Sequence, residues 1–131
     1  MTATSTQGQI EAAACEMVNQ FLRNQFGRGA TTISAVCHRD LMVVHLGGVL
    51  TTLEQSLAAN TDDDSAPGLA RSMRNHLVTK SRLELKAGLA AATGIRASSI
   101  LHDFDERSGD EVFVFRCVED AVPKRRACRT A

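Results

Sequence analysis

The sequence predicts an α+β fold in which helices pack on a four-stranded, mainly antiparallel sheet, in the order α-β-β-α-α-β-β. Apolar residues recur at three- and four-residue steps near the start and in the middle of the chain, as in amphipathic helices. Two pairs of short apolar runs, each pair joined by a polar turn, are typical of hairpins. A chain of 131 residues that is 44% apolar has the size and composition of one soluble domain.

The predicted domain covers residues 9–118 and has polar ends. Residues 1–8 are expected to be disordered, as is the basic tail 119–131. The absence of a recognisable signal sequence or membrane span favours a cytoplasmic protein. Because 15 basic residues balance 15 acidic ones, no net charge attracts the chain to nucleic acid or anionic lipid.

The first half of the chain predicts one helix and one hairpin. The helix covers 9–26 and ends at Phe26-Gly-Arg-Gly29, where a glycine can adopt the left-handed conformation that closes a helix. The strands are predicted at 31–37 and 41–46, with residues 38–40 as the turn.

The stretch 47–57, GGVLTTLEQSL, is either a structural connection or a loop that cradles a phosphate. A phosphate loop would carry more glycines and a lysine at the helix start. Thr51 and Glu54 instead have the spacing of a capping box. A structural joint followed by a short helix over 51–60 is therefore favoured.

A single long helix is predicted over 69–92, after an aspartate-rich loop at 62–67. That loop lacks the spaced oxygens and glycine of a calcium site and is interpreted as a solvated helix start. The apolar stripe of the helix comprises Ala70, Met73, Leu77, Ser81, Leu85, Gly88 and Ala92. A basic face comprises Arg71, Arg82 and Lys86. Arg74 lies at the edge of the stripe, where a guanidinium snorkels or pairs with a carboxylate.

The second hairpin is predicted from strands at 95–102 and 111–118. In the last strand, valines alternate with Phe113 and Phe115, so both faces are apolar and both need cover. We therefore expect an apolar area of the sheet that a second copy or a partner could contact. Four titratable residues lie at the turn between these strands: His102, Asp103, Asp105 and Glu106. They are either a proton-transfer cluster or a solvated hairpin tip, and the solvated tip is favoured.

The cysteines are expected to be reduced, because they lie far apart without a C-x-x-C pair. Cys37 and Cys117 lie in predicted strands, where a free cysteine behaves as a small apolar side chain. A zinc site formed by Cys37, His38 and His45 is a weaker alternative, because its spacing is unusual.

The chain resembles the MpsC-like family, a bacterial family long classed as a domain of unknown function, over residues 9–118. The resemblance rests on Phe26-Gly-Arg-Gly29, Leu41-Met-Val-Val-His-Leu46, Leu50-Thr-Thr-Leu-Glu-Gln-Ser-Leu57, Arg74, Thr93-Gly94 and Val112-Phe-Val-Phe115. This chain has Ala30 and Thr52 where relatives tend to have proline. Its aspartate-rich loop and basic tail go beyond the shared pattern.

The resemblance implies a non-enzymatic accessory or regulatory protein that acts through protein-protein contacts. The family is tied to a membrane system of cation translocation and inorganic-carbon supply, so a membrane transport component is one candidate partner and a second copy is another. No catalytic residue, cofactor or metal site is predicted. The candidate family-motif or partner-contact residues are Gly27, Arg28, Gly29, Thr51, Glu54 and Arg74.

Two other functions remain as alternatives. A small RNA- or DNA-binding module would suit the α+β sheet and the basic tail. RNA readers usually combine stacking aromatic residues with basic groups, whereas this chain has no Trp or Tyr and only five Phe. The other alternative, placed after the nucleic-acid module, is an enzyme whose reaction the sequence does not identify.

Truncation after Val122 is predicted to leave the melting temperature nearly unchanged, because residues 123–131 carry charge but almost no apolar surface. Thermal unfolding of the full and truncated proteins checks this. A fall of several degrees would mean that the tail docks on the domain.

Overall fold

The computed structural model describes residues 6–59 and 68–119, which form a four-stranded sheet with helices packed on one face. The elements are α1 (Gln7–Phe26), β1 (Thr32–His38), β2 (Leu41–Gly47), α2 (Thr52–Ala59), α3 (Leu69–Lys80), α4 (Arg82–Thr93), β3 (Ala97–Asp105) and β4 (Asp110–Cys117). The strand order is β1-β2-β4-β3, and all neighbours are antiparallel. The predicted class and element order are confirmed. The predicted loop at 62–67 and the tail from 120 onward lie outside the described residues.

Helix α1 begins at Gln7 rather than at residue 9, because Thr6 caps it. The Thr6 side chain accepts a hydrogen bond from the Gln9 N–H at 3.1 Å, and the Gln9 side chain accepts from the Thr6 N–H at 2.9 Å. These two bonds satisfy amides that have no partner within the helix.

The single helix predicted over 69–92 is wrong: Ser81 divides it into α3 and α4. The Ser81 N–H is shared between the carbonyls of Leu77 and Val78, at 2.9 and 3.1 Å, which tightens the turn. After this break α4 packs on α1, whereas α3 packs on β3. The predicted stripe is also wrong in part, since Met73 and Ala92 are exposed.

The core lies between the helices and one face of the sheet. Its sheet side is formed by alternate residues of the two central strands, β2 and β4, as a period of two requires. The largest apolar side chains that are fully buried are Leu22, Met42, Leu46, Leu85, Leu89, Phe113 and Phe115. No helix of the described ranges is both long and apolar enough to cross a membrane.

Cys37 and Cys117 are buried and free, as predicted, and Cys15 is half-buried. Burial, assisted by nearby Glu11 and Cys117, raises the pKa of the Cys37 thiol to about 12. Only the thiolate is an effective nucleophile.

We therefore predict that iodoacetamide near neutral pH modifies Cys37 and Cys117 only after the protein unfolds, and that Cys15 reacts before either. Peptide mass spectrometry of the native and denatured protein checks the order. Rapid labelling of Cys37 in the native protein would contradict its burial.

Candidate functional site

Four of the six candidate residues lie in or contact the segment 48–51 that connects β2 to α2, here called the joint: Arg28, Thr51, Glu54 and Arg74. At its start Gly48 has a φ of 66°, in the left-handed region that favours glycine. A Cβ atom at Gly48 would overlap the Oγ1 of Thr31. Both the backbone conformation and the close approach therefore require glycine here.

Arg28 holds the joint from outside. Gly27 ends α1 with a φ of 83° and turns the chain. The exposed Arg28 guanidinium donates from Nη1 to the carbonyl of Leu50 at 2.9 Å and from Nη2 to that of Gly48 at 3.0 Å. The arginine of the Phe-Gly-Arg-Gly motif thus binds backbone atoms of the joint.

Gly29 permits the close approach of this motif to α1. The Asn19 side chain accepts a hydrogen bond from the Ala30 N–H at 2.8 Å. A Cβ atom at Gly29 would lie 2.5 Å from that Asn19 oxygen. The glycine therefore lets the chain pass against α1 before it enters β1.

Arg74 holds the joint from inside, and its side chain is only 1% exposed. Its Nη2 donates to the carbonyl of Val49 at 2.9 Å. Nε and Nη2 donate to the two carboxylate oxygens of Glu54, at 2.6 and 2.8 Å, in a bidentate pair. Nη1 donates to Glu111 at 2.9 Å. The expectation that Arg74 pairs with a carboxylate is confirmed, but it lies in the core rather than at the edge of the stripe.

Two aromatic rings enclose the guanidinium of Arg74. Its Cζ lies 4.0 Å from the ring centroid of Phe26 and 4.6 Å from that of Phe104. Both distances are within the range of cation–π attraction. The charge is therefore removed from water and compensated by carboxylates, a carbonyl and aromatic faces together.

Glu54 also caps α2, as the sequence predicts. Its side chain accepts from the Thr51 N–H at 2.9 Å, and the Thr51 hydroxyl accepts from the Glu54 N–H at 3.2 Å. Burial disfavours its carboxylate, but hydrogen bonds from Arg74 and Thr51 outweigh this effect, so the pKa of Glu54 lies below its ordinary value of 4.5. The resulting stabilisation is present above pH 4.5 and is lost as the pH falls through the lowered pKa.

Glu111 extends the contacts of Arg74 to β3 and α3. Its second carboxylate oxygen lies 2.5 Å from His102 Nε2, and Nδ1 of that ring lies 2.5 Å from Asn75 Oδ1. Glu54, Arg74, Glu111, His102 and Asn75 form what we call the arginine network. It connects α2, α3, β3 and β4, with the joint attached through Val49.

The alternative proton-transfer cluster at 102–106 is not assembled. His102 faces the core, whereas Asp103 faces outward and pairs with Arg71 at 2.7 and 2.9 Å. The Arg71 guanidinium lowers the pKa of Asp103 to about 2. Asp105 accepts hydrogen bonds from amides of the hairpin turn, and Glu106 accepts one from the Gly68 N–H. The solvated-tip interpretation holds for Asp103 and Asp105 but is wrong for His102, because adjacent residues of β3 point to opposite faces.

The residues of the alternative zinc site, Cys37, His38 and His45, do not come together either. Cys37 points into the core, while His38 and His45 are exposed on the opposite face of the sheet. In the part of the chain that the structure describes, no group of three His, Cys, Asp or Glu side chains is placed to hold a metal ion.

An open cleft of about 590 Å³ lies beside the second hairpin. Its walls carry Arg71 and Arg107 among several carboxylates, so they do not favour one charge of ligand.

Sequence reasoning missed Glu111 and Asn75 as members of the site. Glu111 interrupts the apolar core side of β4, and that departure from alternation was an available signal. Asn75 gave no comparable signal, because it is one polar residue among several on α3.

Replacement of Arg74 by methionine is predicted to destabilise the fold by about 3–5 kcal/mol, because it leaves two buried carboxylates without their cation. Denaturant unfolding measures the change. Arg71→Met is the matched control: Arg71 lies on the same helix and also pairs with a carboxylate, but the pair is exposed and its loss should change stability little.

If Arg74→Met does not fold, the triple change Glu54→Gln, Arg74→Met, Glu111→Gln provides the second measurement. It removes all three charges and should regain much of the lost stability, since no buried charge remains unpaired. Equal effects of Arg74→Met and Arg71→Met would contradict the special position of Arg74.

Comparison with known proteins identifies the family of this chain. A family model described as "Na+-translocating membrane potential-generating system (MpsC)" matches residues 6–118, which include every residue of the joint and of the arginine network. The "Uncharacterized protein YbcI" of Bacillus subtilis (strain 168) is 26% identical over 115 residues, which cover 88% of this chain and 90% of that protein. No solved structure matches the chain. The chain therefore belongs to the MpsC family.

Proposed function

We propose that this protein is a non-catalytic accessory or regulatory module that binds a membrane component of a Na+-translocating, membrane potential-generating system. Membership of the MpsC family supports the choice of system. The internal use of the motif residues supports the absence of catalysis. The hydrogen bonds of Arg74 and Glu54 are made to each other, to Glu111 and to the joint, so these groups build the fold.

The observation that carries the proposal is a set of three exposed apolar side chains on α2 and α3, the two helices that Glu54 and Arg74 join. Leu53 follows the joint on α2 and is 63% exposed, and Met73 precedes Arg74 on α3 and is 53% exposed. Leu69, at the start of α3, is 45% exposed. We call these three residues the α2–α3 surface. Exposed large apolar side chains that group together and are rimmed by polar residues mark protein contact sites, and Leu69 and Met73 lie one turn apart on α3.

The internal contacts explain why such a surface would be well ordered. Glu54 and Arg74 fix α2 against α3 from inside, while Arg28 fixes the joint from outside. A rigid surface loses little conformational entropy when it binds. The motif residues thus position the contact surface without themselves touching the partner.

The positions of the aromatic residues favour a protein partner over nucleic acid. The chain has five Phe and no Trp or Tyr. Four are buried on the core side: Phe21, Phe104, Phe113 and Phe115. Phe26 is half-buried and lies against Arg74. Single-stranded nucleic acids stack on exposed aromatic rings, and none of the five phenylalanine rings is fully exposed.

We predict that the protein cosediments with membrane vesicles that carry the Na+-translocating system and not with vesicles that lack it. Leu53→Glu and Met73→Glu should each weaken binding at least about tenfold, because they place a charge in an apolar contact. Leu83→Glu is the matched control, since Leu83 is 76% exposed on α4, away from this surface.

Equal binding to both vesicle preparations would contradict the proposal. Strong, salt-dependent binding of single-stranded RNA by the protein would support the nucleic-acid function instead.

A further inference from the structure

The face of the sheet opposite the helices carries a row of apolar side chains. Val36, Val43, Val114 and Leu101 occupy paired positions on β1, β2, β4 and β3, so they form one line across all the strands. Val36 and Leu101 are 54% and 65% exposed. Beside the row, Leu41 and Val112 are half-buried. We call this the open face.

The open face has opposite charges at its two ends. At one end His38 and Arg116 are exposed next to Leu41. At the other end three exposed carboxylates are close together on paired strands: Asp103, Asp105 and Asp110. The face is thus apolar in its centre, with Arg116 at one end of the strands and an excess of carboxylates at the other, where Arg71 pairs with Asp103.

We propose that a second copy of this chain covers the open face, with the two sheets stacked across a twofold axis. A twofold axis in the plane of the interface and along the apolar row reverses the strand direction of the second copy. Val114 then lies on Val114, and Arg116 of each copy faces Val112 of the other, between Asp110 on the same strand and Asp103 on β3. An axis along the strands would instead bring like charges together. Charge therefore selects the first arrangement.

The existing partners of these charges do not oppose the arrangement. Arg116 lies 3.4 Å from Asp40, and Asp110 lies 3.6 Å from His45. These two pairs, and that of Asp103 with Arg71, are exposed, and exposed pairs contribute little to stability. Each charge can therefore gain a second partner from the other copy.

Stacking of faces is also favoured because side chains from the helices contact both edges of the sheet. At the β1 edge, Glu11 accepts from the Cys37 N–H at 3.0 Å and Gln7 donates to the Cys37 carbonyl at 3.4 Å. At the β3 edge, Lys86 donates to the Ser98 carbonyl at 3.0 Å, beside an irregularity in the pairing. Such contacts obstruct the addition of another strand.

The size of the open face predicts a weak dimer. Strands spaced about 4.8 Å apart, with about 3.3 Å per residue, give a face of roughly 400 Å² for a sheet of this size. Two copies would bury roughly 800–1,000 Å², which is small for a stable complex. We therefore expect self-association at micromolar concentrations. It does not involve the α2–α3 surface and can be tested separately.

Sedimentation velocity of the full chain at several micromolar concentrations tests the proposal. The unmodified protein should show a concentration-dependent dimer, Val114→Glu should raise the dissociation constant at least about tenfold, and Leu83→Glu should leave it unchanged. A monomer for the unmodified protein throughout this range, or an unchanged dimer for Val114→Glu, would overturn the proposal.

Charge reversal tests the orientation of the two sheets. Arg116→Asp and Asp110→Arg should each weaken the dimer, because each places like charges opposite one another. The double variant Arg116→Asp, Asp110→Arg should restore association, since both intermolecular pairs are re-formed with reversed sign. Additive weakening in the double variant would overturn the arrangement.

Discussion

The buried guanidinium of Arg74 is the interaction on which the rest of this structure depends. An unpaired charge in a protein interior costs several kcal/mol, so its burial requires partners in fixed positions. Glu54 supplies one carboxylate from α2, and Glu111 supplies another from β4. The carbonyl of Val49 adds the joint between β2 and α2. One side chain therefore determines how two helices and a central strand meet.

The two arginines of the family motifs perform related tasks on either side of the joint. Arg74 binds the inner carbonyl, that of Val49, and Arg28 binds the outer carbonyls of Gly48 and Leu50. Because the joint itself is a short irregular segment, its backbone groups have few partners within regular structure. The arginines supply those partners. This explains why motifs that are distant in sequence belong to a single structural unit.

The local features of this fold could be predicted from the sequence, but its central interaction could not. The capping box of Thr51 and Glu54 depends on residues three positions apart, and the strands depend on short apolar runs, so both leave a pattern in the sequence. The position of Arg74 depends instead on contacts with residues far away in the chain. Apolar periodicity places Met73 in the core, whereas charge pairing places Arg74 there and leaves Met73 exposed.

The open face and the α2–α3 surface differ in how they could be anticipated. The apolar residues on both faces of β2 and β4 predicted unoccupied apolar area on the sheet, and the structure assigns that area to the side away from the helices. The α2–α3 surface was not predicted. The burial of Arg74 fixes which side of α3 faces the core, and this rotation turns Met73 toward solvent. Because Arg74 and Glu54 hold α3 against α2, the proposed partner contact on these helices depends on the same buried charge.

A double-mutant cycle between Arg74 and Glu111 tests the central role of this charge most directly. The free energy of unfolding is measured for Arg74→Met, Glu111→Gln, the double variant and the unmodified protein. Since the two side chains share a buried hydrogen-bonded contact, we predict a coupling of at least about 1 kcal/mol, with the double variant less destabilised than the sum of the two single changes. Additive effects of the two changes would contradict the dependence of the fold on Arg74.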